Sequence, residues 1–96
     1  MEDLVYYNNL YDLYKNLLTN KQQVYFEDYY FNNYSLSEIA GNYNISRNAI
    51  SKQLSVIKEK LDDYEEKLGL YNKNKKINEL SIDENTKNKI MDILLP

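Results

Sequence analysis

Arg47, Asn48, Ser51 and Lys52, with Ser46 just ahead of them, have the types and spacing to hydrogen-bond nucleic acid. A guanidinium fork fits the O6/N7 edge of guanine and a carboxamide fits the N6/N7 edge of adenine. An ammonium neutralises a phosphate. Spaced one and four apart, these positions share one side of a helix. Arg47 is the only arginine in the chain. Other chemistry is poorly provided for. The chain has no histidine and no cysteine, which removes disulfides, thiol chemistry, the usual zinc sites and Ser-His or Cys-His nucleophiles. Its two glycines, Gly41 and Gly69, cannot build a phosphate-cradling loop, and no carboxylates follow a calcium-loop pattern. The expectation is a non-enzymatic protein with no catalytic residues, no metal, no cofactor and no small-molecule substrate.

The elements that must position those residues are helices. One proline, Pro96, and two glycines leave few breakers in 96 residues, so boundaries are read from caps. A first helix is expected from about Asp3 to Leu18, with Leu4, Tyr7, Leu10, Tyr11, Tyr14, Leu17 and Leu18 on one face. Thr19 with Gln22, and Ser35 with Glu38, form capping boxes that open a second and a third helix. The second carries Val24, Tyr25, Phe26, Tyr29 and Tyr30 and ends near residues 31–33. Ser46 caps a long fourth helix, which Gly69 stops or bends. Residues 72–76 are polar and basic, the end of a helix or a linker, and Ser81 with Glu84 caps a last helix reaching Leu94 or Leu95. The resulting organisation is a helical domain over 1–71, then a basic linker and C-terminal helix over 72–96. No strand-like alternation stands out, so the fold class is all-α.

Residues Leu36 to Leu54 fit a helix-turn-helix position by position. Two short helices crossing steeply need a small residue at the contact, which Ala40 supplies. The turn needs a residue that tolerates positive φ, and Asn44 is the best choice after glycine. Ile39, Tyr43, Ile45, Ile50 and Leu54 are the apolar anchors. In that register Ser46, Arg47, Asn48, Ser51 and Lys52 point away from the core, toward a major groove if DNA is bound.

Charge works against strong binding. The formal net charge is −3, whereas a nucleic-acid binder usually carries a basic footprint. The recognition segment is locally basic, but Asp62, Asp63, Glu65 and Glu66 follow on the same helix. Weak, salt-sensitive binding is the expectation. The abundance of Asn, Lys, Tyr and Ile is read as codon usage in an AT-rich genome.

Ile50, Leu54, Ile57, Leu61, Tyr64, Leu68 and Tyr71 alternate four and three apart. This stripe either covers the first two helices or joins two copies of the chain. A 96-residue core is small, so a homodimer is favoured, with Leu61, Tyr64, Leu68 and Tyr71 at its interface. The Tyr- and Leu-rich first helix is a second candidate surface. No apolar run is long enough to span a membrane and the first residues, Met1-Glu2-Asp3, are acidic, so a soluble cytoplasmic protein is expected.

Leu17-Leu18-Thr19-Asn20-Lys21-Gln22-Gln23, Tyr29-Tyr30, the run from Tyr34 to Ala40, the run from Asn44 to Ile50, and Tyr64-Glu65-Glu66-Lys67-Leu68-Gly69-Leu70-Tyr71 resemble the YlxM family of small helix-turn-helix proteins. The resemblance covers about residues 4–76. It implies an all-α fold and a regulatory part in the signal recognition particle pathway, inferred from gene neighbourhood, with no catalytic residues. Partners implied are DNA, or the RNA or protein of that particle. The stretch from Thr19 through the helix-turn-helix also resembles region four of bacterial sigma factors. That likeness carries DNA contact onto Arg47, Asn48, Ser51 and Lys52 alone, and the acidic block departs from it. The alternative is a protein-interaction module that modulates the particle's GTPase without touching nucleic acid.

Overall fold

Caps set where the helices start. In the computed structural model, which describes residues 4–96, α1 spans Leu4–Tyr14 and α2 spans Asn20–Tyr30. Then come α3 (Leu36–Tyr43), α4 (Arg47–Leu68), α5 (Leu70–Asn78) and α6 (Glu84–Leu94), with no strand among the described residues. Both early capping boxes form. Thr19 Oγ1 accepts from the Gln22 amide at 3.1 Å while Gln22 Oε1 accepts from the Thr19 amide at 3.0 Å. Ser35 and Glu38 exchange the same pair of bonds, both at 3.0 Å. Ser46 Oγ accepts from the Ala49 amide at 3.0 Å.

The first helix is shorter than the apolar spacing suggests. A capping threonine needs extended backbone, and Thr19 and Leu18 both have it (ψ 159° and 154°), so the chain leaves the helix early through a 3-10 turn at Lys15–Leu17. The expected start at Asp3, and the acidic opening Met1-Glu2-Asp3 as a whole, lie outside the described residues.

The C-terminal third departs further. Residues 72–76 are helical within α5, not a linker, and a boundary at 71/72 falls inside that helix. Gly69, at φ +63°, ends α4, and α5 begins at the next residue, so the glycine bends the chain rather than releasing it. Ser81 does not cap α6. Asp83 stands immediately before the first helical residue and accepts from the Thr86 amide at 2.6 Å, which holds its carboxyl below the usual carboxylate range. The last helix ends at Leu94, as expected, but none of its residues is buried.

The core forms around α4, against which α1, α2 and α3 pack. Leu10, Phe26, Ile39, Ile50, Ile57 and Leu61 are fully buried. Tyrosines fill much of the rest, and each buried phenol must find an acceptor. Carboxylates supply it. Tyr14 donates to Glu65 at 2.6 Å, Tyr7 to Asp62 at 2.9 Å, and Tyr11 to Glu27. Burial and these partners push the Tyr11 and Tyr14 phenols well above their ordinary range. Tyrosine therefore has a packing role that composition alone had put down to codon usage.

The heptad stripe is spent mostly inside the chain. Leu61 is 0 % exposed, so it cannot face a second copy, contrary to the interface expected for it. Tyr64 is half-buried and donates to the Leu17 carbonyl at 3.2 Å. Tyr71 is half-buried and meets Tyr6 edge-on at 5.1 Å between ring centres. Only Leu68, 43 % exposed, faces outward. No helix among the described residues is long and apolar enough to cross a membrane.

Candidate nucleic-acid interface

The helix-turn-helix is built from α3, a tight turn and the first half of α4. Asn44 takes the left-handed conformation (φ 55°, ψ 44°), and its amide and that of Ile45 both reach the Ala40 carbonyl. Ala40 is 7 % exposed, and Ile39, Ile50 and Leu54 are buried as anchors. Tyr43 and Ile45, also expected as anchors, are 38 % and 37 % exposed. They flank the turn, where the chain borders α2 instead of entering the core. The Tyr43 ring meets Tyr25 edge-on at 5.3 Å and its hydroxyl donates to Asp28 at 3.2 Å.

Ser46, Arg47, Asn48, Ser51 and Lys52 are all exposed on the first two turns of α4. Arg47 and Ser51 form one i, i+4 row, and Asn48 and Lys52 form the row beside it. The structure thus brings the four side chains onto one continuous strip. Ser46 differs, because its oxygen already accepts the capping bond and only its O–H remains to donate. Lys58, further along, holds its ammonium 5.4 Å from the Tyr30 ring centre and 5.8 Å from that of Tyr7.

The acidic block is engaged elsewhere. Asp62 accepts from Tyr7, and Asp63 pairs with Lys67 at 2.8 Å. Glu65 does more. Gly69 has no side chain to cap α5, and Glu65 takes over by accepting from the Tyr71 amide at 2.9 Å and the Asn72 amide at 3.3 Å. Tyr14 Oη accepts from the Leu70 amide at 2.9 Å in the same cluster. Along α4 the block lies about 22–28 Å from Arg47 at ~1.5 Å per residue. That is well beyond a Debye length of about 8 Å at physiological salt.

Sequence spacing missed Lys21 and Gln53. Both line a cleft of about 350 Å³ between the start of α2 and the flank of α4, together with Thr19, Gln22, Ile45 and Ala49. Lys21 lies far from the recognition segment in sequence, and only the packing of α2 on α4 brings it near.

Comparison with known proteins agrees with this architecture. A family model described as "Putative helix-turn-helix protein, YlxM / p13 like" matches residues 1–93, so the match extends beyond the motifs that end near residue 76. The UPF0122 proteins of Staphylococcus aureus strains Newman and Mu3 / ATCC 700698 are each 48 % identical over 64 residues. Those residues are 67 % of this chain and 58 % of each relative. The chain therefore spans less than two thirds of the length of these relatives. It belongs to the YlxM / p13-like helix-turn-helix family.

Proposed function

We propose that this member of the YlxM / p13-like family is a non-enzymatic regulatory protein of the cytoplasm that binds nucleic acid through Arg47, Asn48, Ser51 and Lys52, with Ser46 at the tip. One observation carries the reading. These side chains are exposed together on the second helix of a helix-turn-helix, while the acidic block Asp62, Asp63, Glu65 and Glu66 lies toward the far end of that helix, three of the four bound to neighbouring groups. Arg47 and Asn48 reach base edges, and Lys52 meets a phosphate. With two cations on the strip and a net charge of −3, binding is weak and falls with salt. The setting in the signal recognition particle pathway rests on the family resemblance, so the particle's RNA stands beside duplex DNA as a ligand.

The test is a fluorescence-anisotropy titration against both nucleic acids at several salt concentrations, with an Arg47→Ala, Lys52→Ala double variant alongside. Loss of binding in the double variant supports the assignment, and unchanged binding removes it.

A second reading is a protein-interaction module that modulates the particle's GTPase. It draws on α6, which buries none of its residues and leaves Ile93 82 % exposed. A pull-down of the particle protein that survives nuclease treatment would favour it. Exposed apolar residues that a homodimer could cover include Leu68 on α4, Leu4 and Val5 on α1, and Ile93 on α6.

A further inference from the structure

The cleft beside α4 sets Thr19, Lys21, Gln22 and Gln53 beside Tyr25, Ile45 and Ala49, and no carboxylate lines it. We propose that it holds one backbone phosphate of the bound nucleic acid, gripped by Lys21, Gln22, Thr19 and Gln53. This rests on the nucleic-acid reading of the helix-turn-helix and extends the footprint from α4 onto α2.

Four features support the assignment. The Lys21 side chain is exposed and has no ion-pair partner among the described residues. Gln22 is 8 % exposed, and its carboxamide orientation is fixed because Oε1 holds the Thr19 amide. Its Nε2 makes no hydrogen bond among the described residues and is not a buried unsatisfied atom, so it is reachable from the cleft and free to donate there. Thr19 Oγ1 accepts from the Gln22 amide, so its O–H is left to donate. Gln53 contributes a further carboxamide from the opposite wall.

Convergent donors with one ammonium match a phosphate oxygen set, and the positive end of α2 adds to the attraction. Ala49 and Gln53 form the row next to Asn48 and Lys52, so a phosphate held here runs alongside the strip that meets the bases. Such a contact positions the strand and carries no sequence information.

Two variants of the full chain separate this from a general charge effect. Lys21→Ala removes the ammonium. Gln22→Glu keeps an acceptor for the Thr19 amide, and so keeps the capping box, but places a carboxylate in the cleft. Lys76→Ala, on exposed α5, is the control. Affinity for two duplexes of different sequence is read at several salt concentrations, with a circular-dichroism melt of each variant.

We expect Lys21→Ala to bind about 10-fold more weakly and to lower the salt slope by about one, with equal loss across duplex sequences. Gln22→Glu should lose more while melting at the wild-type temperature, and Lys76→Ala should bind like wild type. Unchanged binding by Lys21→Ala, beside a weakened Arg47→Ala, Lys52→Ala variant, overturns the cleft and leaves the helix-turn-helix reading standing. Equal loss in Lys76→Ala also overturns the cleft, since bulk charge then explains the effect. A wild-type chain that binds no nucleic acid overturns both.

Discussion

Tyr14→Phe removes one oxygen from the point where α1, α4 and α5 meet. The ring shape is kept, so no cavity opens and the change isolates the hydroxyl. That hydroxyl donates to Glu65 at 2.6 Å and accepts from the Leu70 amide at 2.9 Å. A hydrogen bond to a charged partner contributes about 1.5–3 kcal/mol, and a buried donor left unpaired costs about 1–3 kcal/mol. Leu70 is only 4 % exposed, so water cannot readily replace the lost acceptor. The variant no longer buries a hydroxyl, which offsets part of the loss, and about 2–4 kcal/mol of destabilisation remains. For a domain of this size a change of 1 kcal/mol moves Tm by about 4–8 °C, so a drop of roughly 10–25 °C is expected. Thermal and urea melts followed by circular dichroism measure it. A double-mutant cycle with Glu65→Gln should return a coupling of about 1–3 kcal/mol. A loss below about 0.5 kcal/mol for Tyr14→Phe would mean that the cluster does not hold α5 in place, and the explanation given for the acidic block would fail.

Two further expectations concern the turn and the tyrosines. Because Asn44 sits at φ 55°, Asn44→Gly should leave Tm nearly unchanged while Asn44→Val costs about 1–2 kcal/mol; equal melting of the two variants would contradict the turn geometry. Tyr11 and Tyr14 keep their protons in the fold beyond the value of 10.0 at which exposed phenols ionise, so the unfolded chain loses protons first. Stability from these groups is therefore complete below about pH 10 and is lost as pH rises above it. Melts across the alkaline range would show this as a falling Tm, and a Tm that stays flat past pH 11 would count against it.

Much of the fold was legible because it depends on local chemistry. Thr19 with Gln22, Ser35 with Glu38, and Ser46 cap within three residues of themselves, and Asn44 and Gly69 answer to their own φ angles. The failures share a different cause. Ser81 and Asp83 are both good caps, and only the position of the helix start chooses between them. The heptad stripe fixed which side of α4 is apolar but not what covers it, and the packing of α1, α2 and α3 on α4 leaves Leu61 fully buried. Glu65 caps a helix around a bend, with partners six and seven residues away and on α1, so no local pattern marks it. Of the candidate site, Arg47, Asn48, Ser51 and Lys52 followed from the register of one helix, whereas Lys21 depended on how two helices pack.

The central claim is that the strip from Ser46 to Lys52 meets nucleic acid. Its most direct test is the salt dependence of binding for wild type against the Arg47→Ala, Lys52→Ala variant, on duplex DNA and on signal recognition particle RNA. The account predicts that wild type binds at least one of them with an affinity that falls linearly on logarithmic axes, and that the variant binds more weakly and loses about one from the slope, for the phosphate contact of Lys52. Wild-type and variant curves that superimpose at every salt concentration would contradict it.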